Sequence, residues 1–266
     1  MNAKHSILIL KSIVLLISIG FATRSARSDF IYTSGHGDIG LAYDAGSLFL
    51  HYHLGPTAIV NGAPVGNAPD GAEFVPNEVL AFVPNPSTPR PAGAAWNFLG
   101  NAANDPIWLL PATEDANRPF LGIASEELVP ADWSNVFFEL TSFSGPGNFS
   151  LFSTDSFGAP TVHIATSDGI ATVSDRFQSI VGGHAHANFA FTEAGLYELT
   201  IKAYGTHVAD GFKEDTGVFR FGVTAVPEPS SILLVLGSLL VIGYRYLTRA
   251  AVSVPYRFLL MNRSEN

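Results

Sequence analysis

The segment Leu196-Tyr197-Glu198-Leu199-Thr200-Ile201-Lys202-Ala203 decides the fold class. In an extended chain successive side chains point to opposite faces, so Tyr197, Leu199, Ile201 and Ala203 share one side and Glu198, Thr200 and Lys202 the other. One side packs and the other meets water, the pattern of antiparallel sheets. Glu193-Ala194-Gly195, just before it, carries turn chemistry and predicts a hairpin with the preceding strand.

Outward from this segment the same texture continues. Between Asp29 and Thr224 no stretch keeps a helical apolar period for three turns, while short alternating runs bounded by Gly, Pro, Asn and Asp recur. Strands are expected at 30–33, 38–43, 47–53, 79–83, 136–143, 149–152, 161–166, 185–191, 196–204 and 218–223. The fold class is therefore all-β, and the pattern favours an antiparallel two-sheet β-sandwich, jelly-roll-like, with a barrel as the open alternative. Residues 55–78 and 84–119, rich in Gly, Pro, Asn and Ala, read as long loops, with Trp96 and Trp108 embedded in the second.

Charge separates the middle of the chain from its ends. Residues 29–226 hold six Lys and Arg against 21 Asp and Glu, a formal charge of −15. Such a surface repels nucleic acid and anionic lipid and attracts cations. Cysteine is absent, which excludes disulfides and thiolate metal sites.

The ends read as addresses. Lys4 and Lys11 precede an apolar run from Ile13 to Ala22, and Ala26 and Ser28 place small residues before a cut ahead of Asp29, so residues 1–28 are expected to be a secretory signal. At the other end Pro227-Glu228-Pro229, within a linker at 225–229, leads into an apolar run expected to form a transmembrane helix at 230–247. Arg245 and Arg249 mark its cytoplasmic side, followed by a basic tail over 248–266. The domain at 29–224 would then lie outside the inner membrane. The order Pro-Glu-Pro, short apolar helix, basic cluster resembles the PEP-CTERM sorting signal. That resemblance implies recognition by an exosortase-type processing enzyme, with the domain delivered to the cell surface or the extracellular polysaccharide matrix after initial anchoring in the membrane.

Histidine carries the chemistry of the middle. His36 stands before Gly37-Asp38, and His51/His53 and His184/His186 are each two apart, a spacing that puts both rings of a pair on one strand face. Imidazole nitrogens suit zinc and other transition metals. Neighbouring strands would bring three or four rings together, with Asp38 or His36 completing the set. His186 would share its face with Asn188, while Phe189 and Phe191 point into the core. No Gly-x-Ser-x-Gly elbow or His-Glu-x-x-His helix occurs, so nucleophilic or zincin-type hydrolysis has no motif behind it.

The run from Gly182 to Tyr197, with His184-Ala185-His186-Ala187-Asn188-Phe189, then Phe191-Thr192, Gly195 and Tyr197, is similar to the signature of choice-of-anchor M domain proteins. These are related to actinobacterial surface-anchored repeat domains. Gly35-His36-Gly37-Asp38-Ile39, Trp108-Leu109-Leu110-Pro111, Leu121-Gly122 and Gly145-Pro146-Gly147-Asn148-Phe149 extend the likeness across the domain, with Phe189 where that family more often has Trp. The resemblance implies a non-enzymatic surface domain, and an association of relatives with metal-type transporters raises metal binding as a role.

Three functions follow as expectations. The first is a surface domain binding zinc or another transition metal through His36, Asp38, His51, His53, His184 and His186. The second is an adhesin that stacks extracellular polysaccharide on exposed Trp96, Trp108 or Trp133. The third is a metal-dependent hydrolase with Asp38 as base.

Overall fold

β-Branched and aromatic residues alternate with polar ones between Gly, Pro and Asn breakers, and this texture sets the element order. The computed structural model describes residues 30–85, 87–171 and 174–224. Its first strands are β1 (Phe30–Asp44), β2 (Ser47–Leu54), β3 (Ile59–Val60), β4 (Ala63–Pro64), β5 (Ala72–Phe74), β6 (Val79–Val83), β7 (Thr88–Pro89) and β8 (Pro106–Leu110). There follow β9 (Pro119–Ala124), β10 (Trp133–Ser144), β11 (Phe149–Thr154), β12 (Pro160–Ala165), β13 (Arg176–Ser179), β14 (His184–His186), β15 (Asn188–Phe191), β16 (Gly195–His207) and β17 (Gly211–Val223). Short 3₁₀ segments span Pro76–Glu78, Ala94–Leu99 and Pro130–Asp132.

The described residues are all-β, in two sheets. The larger runs β13-β10-β16-β17-β6-β1-β2-β5, with β9 beside β1 and β14 beside β9; the smaller runs β12-β11-β15-β8-β7. Tyr197, Leu199, Ile201 and Ala203 are buried and Glu198 is exposed, as their alternation predicts. Phe191 of the smaller sheet meets Tyr197 and Phe221 of the larger with ring centroids 4.8 and 5.2 Å apart. Each fully buried ring of this kind stabilises the fold by about 1.5–3 kcal/mol through lost water contact.

β1 positions the site because it changes partners along its length. Residues 30–32 run parallel to β6. Beyond Gly35 the strand runs parallel to β9 and antiparallel to β2. Gly35 makes the transition with φ +85°, and a Cβ there would lie 2.7 Å from the Ala58 Cα. Both the left-handed backbone and the close approach require glycine.

Several expectations need correction. Glu193-Ala194-Gly195 closes no hairpin: β15 pairs with β11 and β8, whereas β16 pairs with β10 and β17, so the turn carries the chain from one sheet to the other. The Tyr197 hydroxyl holds this crossing, donating to the Glu193 carbonyl at 2.8 Å and accepting from the Gly147 and Glu193 amides at 3.2 Å. The hairpin is instead β16–β17, paired from Gly195↔Val223 to His207↔Gly211. The expected strand at 185–191 is two strands, β14 in the larger sheet and β15 in the smaller. The expected loops at 55–78 and 84–119 contain β3, β4, β5, β7 and β8, strands too short for alternation to register.

Among the described residues no helix is long and apolar enough to cross a membrane. The expected signal segment at 1–28, the sorting motif Pro227, Glu228, Pro229, Arg245 and Arg249, and the helix at 230–247 lie outside the described residues.

Candidate metal centre

Five strands of the larger sheet, in the order β5, β2, β1, β9, β14, present one face away from the core. Ile39, Leu41, Leu50, Tyr52, Leu54, Leu121 and Ile123 fill the inner face, which turns the alternate residues outward. The register then sets a row across all five strands: Glu73 opposite His53, His53 opposite Asp38, Asp38 opposite Gly122, and Gly122 opposite His186. In neighbouring rows His51 pairs with Gly40, His184 with Ala124, and His36 with Phe120. Gly40, Gly122 and Ala124 stand opposite His51, His186 and His184, and these small residues leave room beside the imidazoles on the outer face.

His36, His184 and His186 converge. One ring nitrogen from each lies within 4.8 Å of the other two. The ring centroids are 5.2–5.6 Å apart. Asp38, 2% exposed, places Oδ2 3.5 Å from His36 Nε2, while its Oδ1 is buried with no hydrogen-bond partner. Gly122 makes the space for this: a Cβ there would lie 2.1 Å from Asp38 Oδ1 and 3.1 Å from His186 Cε1.

Electrostatics prepare these groups for a cation. Burial raises the Asp38 carboxyl above its usual range, against the pull of His36 and His184. A buried carboxylate oxygen with no donor costs roughly 1–3 kcal/mol, which a bound cation would recover. His186 stacks on Phe120 with centroids 3.6 Å apart and planes at 5°. Burial, then the neighbouring His36, lowers its pKa to about 4, so its ring is neutral and its nitrogen pair available at physiological pH. His184 donates Nδ1 to Glu126 Oε1 at 2.5 Å, a bond that raises its pKa and leaves Nε2 as the nitrogen not engaged by Glu126. A carboxylate behind a ligand imidazole fixes its ring and strengthens it as a donor.

The two histidine pairs do not form one cluster, contrary to the sequence expectation, because β1 and β9 separate β2 from β14. His51 joins Glu73 and Glu127 in a separate group. His53 Nε2 lies 2.7 Å from the Asp70 carbonyl. Glu73, Glu126, Glu127 and Phe120 were not singled out from sequence and Gly122 only as part of a family likeness, and nothing in their spacing relates them to the histidines until the strands pair. Asn188, expected beside His186, belongs to the smaller sheet and bonds the Phe152 carbonyl and the Ala112 amide.

A buried Ser125 fastens β14 to β9. Its hydroxyl lies 2.8 Å from Ser179 Oγ and donates to the Ile180 carbonyl at 3.0 Å, and its amide donates to the Gly183 carbonyl. The loop before His184 is thereby tied to the end of the strand carrying Gly122.

The tryptophans stand apart from this centre. Trp133 is 6% exposed and packs edge-on against Tyr43, so it is no open platform for sugar, contrary to expectation. Trp96 is half-buried against Phe98 and Phe152, anchoring its segment. Trp108, also half-buried, donates Nε1 to Asn85 Oδ1 at 2.9 Å. Comparison of the chain with protein-family models, with curated proteins and with solved structures found no match.

Proposed function

We propose that this chain is an exported surface domain, built as a jelly-roll-like sandwich whose larger sheet mixes antiparallel and parallel strands rather than the wholly antiparallel one expected, that binds a transition metal through His36, His184 and His186 with Asp38 as the charge-balancing carboxylate. One observation carries this reading: three imidazole nitrogens lie within mutual ligand distance beside a buried carboxylate oxygen that has no donor. Three nitrogens and one oxygen make a set suited to zinc and other borderline divalent ions. The sandwich is supported by Phe189 and Phe191 packing against Tyr197 and Phe221 across the two sheets.

The chain's residues divide the work. His186 supplies a neutral ring held by Phe120, His184 is oriented by Glu126, and His36 approaches from β1 on the far side of β9. Asp38 supplies negative charge beside His36. Export, sorting through Pro227-Glu228-Pro229 and anchoring to the cell surface rest on the sequence resemblances and complete the proposal.

Chelator competition tests it. The whole chain, purified without a polyhistidine tag, should hold zinc tightly, and the His36→Ala/His186→Ala variant should lose at least about tenfold in affinity. Equal zinc binding by the variant and the parent chain would overturn the assignment.

A further inference from the structure

We infer that a second divalent cation binds on the same sheet face, at His51, Glu73 and Glu127, in a site of harder chemistry than the three-histidine centre. One ring nitrogen of His51 and one carboxylate oxygen from each glutamate lie within 4.8 Å of one another. The three residues come from different segments: His51 from β2, Glu73 from the adjacent β5, and Glu127 from the turn beyond β9.

His51 marks this group as more than a surface acidic pair. It is 7% exposed, and its Nε2 is buried without a hydrogen bond of acceptable geometry. Glu127 Oε1 is only 2.9 Å from that nitrogen, so the distance fits an ion pair but the direction does not. Two ligand atoms of one ion, each about 2.0–2.2 Å from the metal, sit about 3 Å apart without pointing at each other. The separation of Nε2 and Oε1 matches that relation.

Gly40 is part of the arrangement. A Cβ at this position would lie 2.5 Å from His51 Nε2, so only glycine lets the ring lie across β1 towards Glu127. On the outer side His53, Asn67, Asp70 and Glu73 line a surface cleft, so the Glu73 end of the group borders open solvent.

One imidazole with two carboxylates selects differently from three imidazoles. Oxygen-rich sets favour Mn²⁺ and similar hard ions, while nitrogen-rich sets favour zinc, copper or nickel. Two glutamate carboxylates facing one another across the ring also repel, and a divalent ion removes that repulsion. The site shares no ligand with the first centre and does not depend on it.

Manganese titration, read by loss of the free-ion electron paramagnetic resonance signal, tests the inference. The His36→Ala/His186→Ala chain should still bind one Mn²⁺. Adding Glu73→Gln and Glu127→Gln, both at exposed positions, should weaken that binding at least about tenfold without lowering the melting temperature. In the otherwise unaltered chain the two glutamine substitutions should leave zinc binding at the three-histidine centre in place. Absence of Mn²⁺ binding, or Mn²⁺ binding untouched by the two substitutions, would overturn the second site whatever becomes of the first.

Discussion

Asp38 and Gly122 stand opposite each other on parallel strands, and the missing side chain of Gly122 is the space that Asp38 Oδ1 occupies. A glycine in the middle of a strand weakens it, so its presence here is explained by what it admits. Gly122→Ala would put a carbon 2.1 Å from that oxygen and displace the carboxylate or the strand. Chemical denaturation should show a loss of about 1–3 kcal/mol from overpacking. Zinc affinity should fall with it.

Asp38→Asn separates stability from function. Burial raises the Asp38 pKa, so on going up in pH the unfolded chain releases its proton before the folded one does. Stability of the metal-free protein therefore falls as pH rises from 3.8 through the folded-state value, and it stays reduced at neutral pH. Removing the charge should raise the melting temperature of the metal-free protein at pH 7 and weaken zinc binding. A carboxylate serving only structure would show the opposite change in melting temperature.

His186 gives the opposite slope. Its pKa is lowered from 6.5 to about 4 in the folded chain, so between those values the unfolded chain binds more protons. Its contribution to stability is present above pH 6.5 and is lost as pH falls through about 4. The metal-free protein should lose stability across this window, and His186→Ala should flatten the loss. Denaturation midpoints measured at several pH values between 7 and 4 read this directly. Zinc should protect against the same loss until acid displaces it.

Much of the fold was legible because it rests on local alternation. The buried series Tyr197, Leu199, Ile201 and Ala203 could be read from eight residues, as could the outward pairing of His51 with His53 and of His184 with His186. What alternation cannot carry is which strand lies beside which. The outward residues of β9 include Gly122 and Ala124, so its sequence shows no polar stripe, and its place between β1 and β14 had no local signal. With β1 it separates the two histidine pairs. Ala187 hides a second feature, since the alternation of His184, His186 and Asn188 continues unbroken while the chain passes from one sheet to the other. Glu126 and Glu127 become partners of His184 and His51 only through tertiary pairing.

The crossing between sheets should depend on one hydroxyl. Tyr197→Phe leaves the Gly147 and Glu193 amides and the Glu193 carbonyl without that partner. A loss of about 1–3 kcal/mol is expected by denaturant titration, with zinc affinity unchanged because the centre lies on other strands.

The most direct test of the three-histidine centre is an anomalous difference map from crystals of the chain grown with one equivalent of zinc. The account predicts a single strong peak bonded to His36, His184 and His186 at about 2.0–2.1 Å, next to the Asp38 carboxylate. A map with no peak among these three rings, or with zinc held elsewhere while they hydrogen-bond to solvent, would contradict it.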